Sequence, residues 1–129
     1  MKKISLDASA WIEYFEGTKK GAAIIEIVES PECEIFTPMS VVAEVIKFYL
    51  RVNKDPEPLL ESMQQLSFLV PLTMESSVDA ARLYVAHRSK KNSFGLLDAF
   101  VLATAREVGA KIITFDNDFR GCKEAMILS

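Results

Sequence analysis

A chain of 129 residues with 50% hydrophobic content carries enough apolar side chains for one buried core, so a single domain spanning 1–129 is expected. Its 15 basic and 18 acidic residues leave a net charge of −3, which excludes a uniformly basic surface and puts any polyanion site on local cations or on metal ions. Cys33, Cys122 and a lone His87 supply neither a disulfide framework nor a zinc motif. No apolar run reaches the roughly 20 residues of a membrane span, and the start "MKKISLDASAW" has no apolar signal core. A soluble cytoplasmic protein without a membrane partner is the expectation.

Along the chain, "KISLD" (Lys3 to Asp7) reads as a short strand, and "ASAWIEYFEG" places Trp11, Ile12 and Phe15 at helical spacing with Gly17 as its stop. "KKGAAIIEIVES" repeats the helical pattern and ends before Pro31, and "CEIFT" is apolar and short enough for a second strand. Pro38 and Ser40 punctuate the entry to "SVVAEVIKFYLRV", with Val41, Val45, Phe48 and Val52 along one face. "DPEPLLESMQQL" follows as a helix, with Asp55 as N-cap and Pro56 in the first turn. "SFLVPLT" predicts a third strand. "MESSVDAARLYVAHRSKK" predicts a helix with Val78, Ala81, Leu83 and Val85 apolar and a basic end, and Asn92 to Gly95 link it to the helix around Asp98, read within "SFGLLDAFVLATA" (Ser93 to Ala105). "AKIITFD" is the clearest strand, and "EAMIL" a final short one.

Strands alternating with helices require crossover connections between parallel neighbours. The predicted fold is therefore α/β: a three-layer α/β/α arrangement with a mainly parallel central sheet of about four to five strands. In such sheets ligands bind beyond the carboxyl ends of the strands, where the topology switches direction.

That rule selects the acids. Asp7 ends the first strand and Asp116 ends "KIITF", while Glu44 and Asp98 lie early in helices that would begin on the same edge. Asp118 in "TFDND" is a fifth acid nearby. Asp98 is the oddest of them, because Phe94, Val101 and Leu102 surround it at helical spacing, and a desolvated carboxylate must protonate, pair or bind a metal. Clustered carboxylates suit a hard divalent cation, Mg²⁺ or Mn²⁺, which borrows further oxygens from water and phosphate. Such a site hydrolyses phosphodiesters without a His, Cys or Ser nucleophile. Plain readings stand beside this one: Asp7 as an N-cap, Asp116 as a turn residue, Glu44 as a solvated helix residue, and Asp98 as a cap or the partner of Arg106 or Lys111.

With those acids in place, the sequence resembles the PIN-domain ribonucleases, and most closely the VapC-type toxins of prokaryotic toxin–antitoxin pairs, over nearly its whole length. "ISLDASAWIEYF" is similar to the family's opening motif, with Asp7 and Ser9 in its acid and hydroxyl places; "SVVAEVIKF" supplies Glu44; and "LLDAFVLATAREVGAKIITFDNDF" supplies Asp98, Thr114 and Asp116. The resemblance implies a Mg²⁺- or Mn²⁺-dependent endoribonuclease, commonly a homodimer, restrained by a cognate antitoxin. Asp7, Glu44, Asp98 and Asp116 would be catalytic metal ligands, with Ser9 and Thr114 supporting them. Asn117 departs from the basic or hydroxyl residue common between the last acids, which leaves Asp118 as either a supporting ligand or a surface acid.

RNA needs positive charge near that edge, and Arg88, Lys90 and Lys91 of "HRSKKNS" are the local candidates. The alternative for the same residues is a solvated helix end. His87 is read as structural, because metal-activated water needs no imidazole. Trp11, Tyr14, Phe15, Phe48 and Tyr49 divide between core and a face suited to a partner's helix. Two other functions remain in view: a non-catalytic PIN-like binding or regulatory domain, and a receiver-type phosphoacceptor domain.

Overall fold

In a computed structural model describing all residues 1–129, the short apolar runs are strands buried on both sides. β1 (Lys2–Leu6) buries Ile4, Ser5 and Leu6 in succession, and β4 (Lys111–Thr114) buries Ile112, Ile113 and Thr114. Consecutive burial, rather than alternation, is what a central parallel strand covered by helices requires. Between and around them lie α1 (Ala8–Glu16), α2 (Gly21–Glu29), β2 (Cys33–Pro38), α3 (Met39–Arg51), α4 (Glu57–Leu66), β3 (Phe68–Val70), α5 (Met74–Arg88), α6 (Leu96–Val108), a 3-10 turn (Asn117–Phe119) and β5 (Ala125–Ile127). No helix is long and apolar enough to cross a membrane.

All five strands are parallel, in the order β3-β2-β1-β4-β5. The chain builds outward from β1 through β2 to β3, then returns past β1 to add β4 and β5. The topological switch therefore falls between β1 and β4. Receiver-type domains of the flavodoxin-like class use the order 2-1-3-4-5, so this sheet sets that reading aside. Leu6 pairs with Ile113 across the switch, which brings Asp7 and Thr114 side by side one residue further on. Three-residue strands at both edges, β3 and β5, leave little open backbone for another strand to extend.

Trp11 and Tyr49 are fully buried with Phe94 and Phe119 in the core. The Trp11 indole donates to Thr37 Oγ1 at 3.0 Å, Thr37 donates to Ser67 Oγ at 2.7 Å, and Ser67 donates to the Met63 carbonyl at 2.7 Å. This buried chain ties α1, β2 and α4 together with each polar group satisfied. Two predicted faces are corrected. On α3 the core takes Val41, Val42, Val45 and Tyr49, while Phe48 and Val52 are 38% and 52% exposed. On α5 it takes Ser76 and Ala80 with half-buried Leu83, leaving Val78, Ala81 and Val85 exposed. That is the side packed against α6, and the buried Ser76 on it is satisfied by the reciprocal cap with Thr73 that starts the helix.

Gly21 starts α2 where it crosses α1. A Cβ there would lie 2.2 Å from the Glu13 carbonyl oxygen, a backbone atom that cannot step aside alone. Gly21→Ala is expected to push the two helices apart and cost about 1–3 kcal/mol, read as a lower urea midpoint; an unchanged midpoint would show that the crossing has slack.

Candidate metal centre at the carboxyl edge

Asp7 leaves β1 in extended conformation and caps α1, its Oδ1 accepting from Ala10 N at 3.0 Å and from Ser9 Oγ at 2.7 Å. Its Oδ2 accepts from Thr114 Oγ1 at 2.5 Å, across the switch point. The hydroxyl oxygens in turn accept from the next turn of chain: Ser9 Oγ from Phe115 N at 3.0 Å, and Thr114 Oγ1 from Asp116 N at 2.9 Å. The ends of β1 and β4 are thereby locked together through one carboxylate. Burial raises the pKa of Asp7, which is 5% exposed, and Asp116 adds repulsion; the bonds from Thr114, Ser9 and Ala10 oppose the rise.

Asp98 sits at the N-terminus of α6, where its Oδ2 accepts from Gly95 N at 2.8 Å. Asp116 caps the 3-10 turn, its Oδ1 accepting from Asp118 N at 2.8 Å. Carboxylate oxygens of Asp98, Asp116 and Asp118 lie within 4.8 Å of one another. Desolvation pushes Asp98 up to about 6, and Asp116, Asp118 and Asp7 add to the rise. Glu44, in the second turn of α3, is raised by burial first and then by Asp98, with Lys47 opposing and Asp7 and Asp116 adding. Asp98, Asp116 and Asp118 thus form the close group, while Asp7 and Glu44 stand outside it yet near enough to repel its members.

The alternative partners for Asp98 are engaged elsewhere. Arg106 pairs with Glu124 at 2.8 Å, and Lys111 donates to the Lys123 carbonyl at 3.4 Å. The chain's other ion pair, Lys54 with Glu16, also leaves the five acids without a salt-bridge partner. An all-oxygen donor set of this charge, gathered at the switch point and lacking a paired cation, fits a hard divalent ion. Asp7, Glu44, Asp98 and Asp116 are the residues that would hold it, with Asp118 adjacent.

The basic stretch is less free than its sequence implies. Arg88 donates to Tyr84 OH at 2.8 Å and to the Phe94 carbonyl at 3.4 Å, and its guanidinium lies over the Tyr84 ring. Lys91 Nζ donates to the carbonyls of Asn117, Asp118 and Arg120 at 3.1, 3.3 and 3.0 Å. Lys90 is exposed. His87 stacks on Phe94. Ser93, which no sequence motif singles out, donates to Asp118 Oδ1 at 2.5 Å; a contact between residues 25 positions apart leaves no local signature.

Raised carboxyl pKa values mean that the folded state keeps protons the unfolded chain would release. The stabilisation is complete below the ordinary value of 3.8 and is lost as pH rises through the folded value of about 6 for Asp98. Asp98→Asn retains the oxygen that accepts from Gly95 and removes the charge. In metal-free buffer its melting temperature relative to the parent chain is expected to climb as pH rises from about 4 to about 7, followed by calorimetry; a constant difference would contradict the electrostatic origin of the shift.

The family model described as PIN domain matches residues 4–124. No curated protein matches the chain. Among solved structures, a toxin–antitoxin complex from Klebsiella pneumoniae is 22% identical, with 95% of each chain covered and a TM-score of 0.68. VapC20 of Mycobacterium tuberculosis, a Sarcin-Ricin loop cleaving toxin, is 18% identical, with 93% of this chain and 95% of that one covered and a TM-score of 0.73. VapBC2 from Rickettsia felis, bound to a DNA fragment from its promoter, is 13% identical, with 98% and 97% covered and a TM-score of 0.74. At these identities the structural likeness carries the fold, and the family model carries the membership. With the matching span running from β1 to the residue before β5, the chain belongs to the PIN-domain family.

Proposed function

We propose that this chain is a Mg²⁺- or Mn²⁺-dependent endoribonuclease and the toxin of a type II toxin–antitoxin pair. The observation that carries the reading is the close approach of Asp98, Asp116 and Asp118, with Asp7 and Glu44 adding repulsion to that group and no salt-bridged cation among the five. A bound divalent ion would supply a Lewis acid for a phosphodiester oxygen and a water of lowered pKa. The chain supplies the rest. Thr114 and Ser9 hold the two oxygens of Asp7 in fixed directions, and Gly95 N fixes Asp98. Glu44 is carried by α3, Asp98 by α6 and Asp116 by the turn after β4, so the carboxylates come from separate elements.

For RNA, the exposed Lys90, next in sequence to the Lys91 that bonds the acidic turn, is the cation proposed to meet phosphate. Met39, Phe48 and Leu50, 39%, 38% and 56% exposed on α3, offer apolar surface for an antitoxin segment or a second copy of the chain. The similar structures from Klebsiella pneumoniae and Rickettsia felis, a toxin–antitoxin complex and a VapBC pair, support an antitoxin as the regulatory partner. Cytoplasmic action against RNA follows from that role.

RNA cleavage is expected with Mg²⁺ or Mn²⁺ and to stop in EDTA. Asp7→Asn and Asp98→Asn should each lose more than the roughly 10- to 100-fold typical of an outer-shell change, while Thr114→Val, which strips one donor from Asp7, should fall within that range. Circular dichroism would establish that each variant is folded. Undiminished cleavage by either Asp variant would sink the site, and RNA binding without cleavage by the parent chain would favour a non-catalytic binding domain.

A further inference from the structure

The acidic turn Asp116–Arg120 is held by the α5–α6 loop rather than by the sheet alone. The Lys91 ammonium has three N–H donors, and each has an acceptor on this turn: the carbonyls of Asn117, Asp118 and Arg120, at 3.1, 3.3 and 3.0 Å. Two residues on, Ser93 Oγ donates to Asp118 Oδ1. Between them Phe119 is buried edge-on against Phe94 of the same loop, with ring centroids 6.2 Å apart. Carbonyls converging on a point attract a cation and repel each other without one, so Lys91 sets the spacing of the turn's backbone. The same backbone carries Asp116 and Asp118, whose oxygens lie within 4.8 Å of that of Asp98.

We infer that Lys91 is a positioning residue: its ammonium, caged by three carbonyls, holds the Asp116–Asp118 turn at the distance from Asp98 that a shared divalent ion needs. The inference rests on the nuclease reading for the identity of the ion, not for the cage itself. It also removes Lys91 from the phosphate contacts that its sequence context suggests. A saturated ammonium has no donor left for RNA, whereas Lys90, its exposed neighbour, does. Arg120 is placed to reinforce the turn, donating from Nη2 to Asn117 Oδ1 at 3.3 Å, but it lies on the exposed side and reaches no acid of the site.

The test compares Lys91→Met, Lys91→Arg and Lys90→Met in the full chain. Mn²⁺ binding is measured by calorimetry, and amide exchange of residues 117–120 is measured in metal-free protein. Lys91→Met is expected to weaken Mn²⁺ binding about tenfold, the scale of lost outer-shell support, and to speed exchange at Asp118 and Phe119. Lys91→Arg should recover part of both, and Lys90→Met should change neither. Parent-like Mn²⁺ affinity and parent-like exchange in Lys91→Met would overturn the inference. So would unchanged exchange together with a salt dependence of RNA binding, in Ca²⁺ without turnover, shallower by about the 0.7 expected for one lost phosphate contact. A parent chain that binds no Mn²⁺ would overturn the nuclease reading and the ion-spacing role together, while faster exchange in Lys91→Met would still establish the cage.

Discussion

Carboxylates gathered at one edge of a sheet repel one another, and the architecture is organised around keeping them there. The central device is Asp7, whose two oxygens take hydrogen bonds from Ser9, Ala10 and Thr114 and so bridge β1 to β4 across the switch point. Asp98 and Asp116 are held by the same kind of bond, each accepting from a backbone N–H at the start of a helical turn. Three of the acids are thus helix caps as well as candidate ligands. The positive end of a helix favours a negative side chain, which offsets part of the mutual repulsion before any ion is bound.

The offset is incomplete. Asp98 remains pushed up to about 6, with burial as the leading cause and three neighbouring acids behind it. Carboxylates that strain toward protonation are the electrostatic counterpart of affinity for a divalent cation: the repulsion among them is what a cation would relieve. The plain readings of Asp7, Asp98 and Asp116 as caps and the functional one therefore describe the same geometry. Capping fixes where each carboxylate points, and convergence gives the pointing a purpose.

Rigid support comes from contacts that involve none of the acids. The Trp11–Thr37–Ser67 chain fastens α1 to β2 and α4, and the close crossing at Gly21 fixes α2 on α1. Since Asp7 caps α1 and Glu44 stands on α3 directly after β2, these distant contacts set the angle from which two of the acids enter. On the other flank, Phe94 and Phe119 pack the α5–α6 loop against the turn that carries Asp116.

Periodicity and punctuation made the order of elements legible, because parallel strands covered on both faces read as unbroken apolar runs and each helix here begins or ends at a Gly, Pro or polar stop. The acids Asp7, Glu44, Asp98 and Asp116 were legible for a related reason: each stands at a strand end or early in a helix, and in a parallel sheet those positions share one edge. The faces of α3 and α5 were not, since Phe48, Val52, Val78 and Val85 are apolar without being buried, and hydropathy does not say which apolar residues a neighbour covers. Nor could the fate of the basic stretch be read. Whether Lys91 meets phosphate or backbone carbonyls, and whether Asp118 faces solvent or Asp98, depends on contacts between residues 20 or more positions apart. The chain by itself determined what sits at each strand end, because local spacing places it; only the tertiary structure decided which charges meet, because that depends on the strand order and on how a loop closes over a turn.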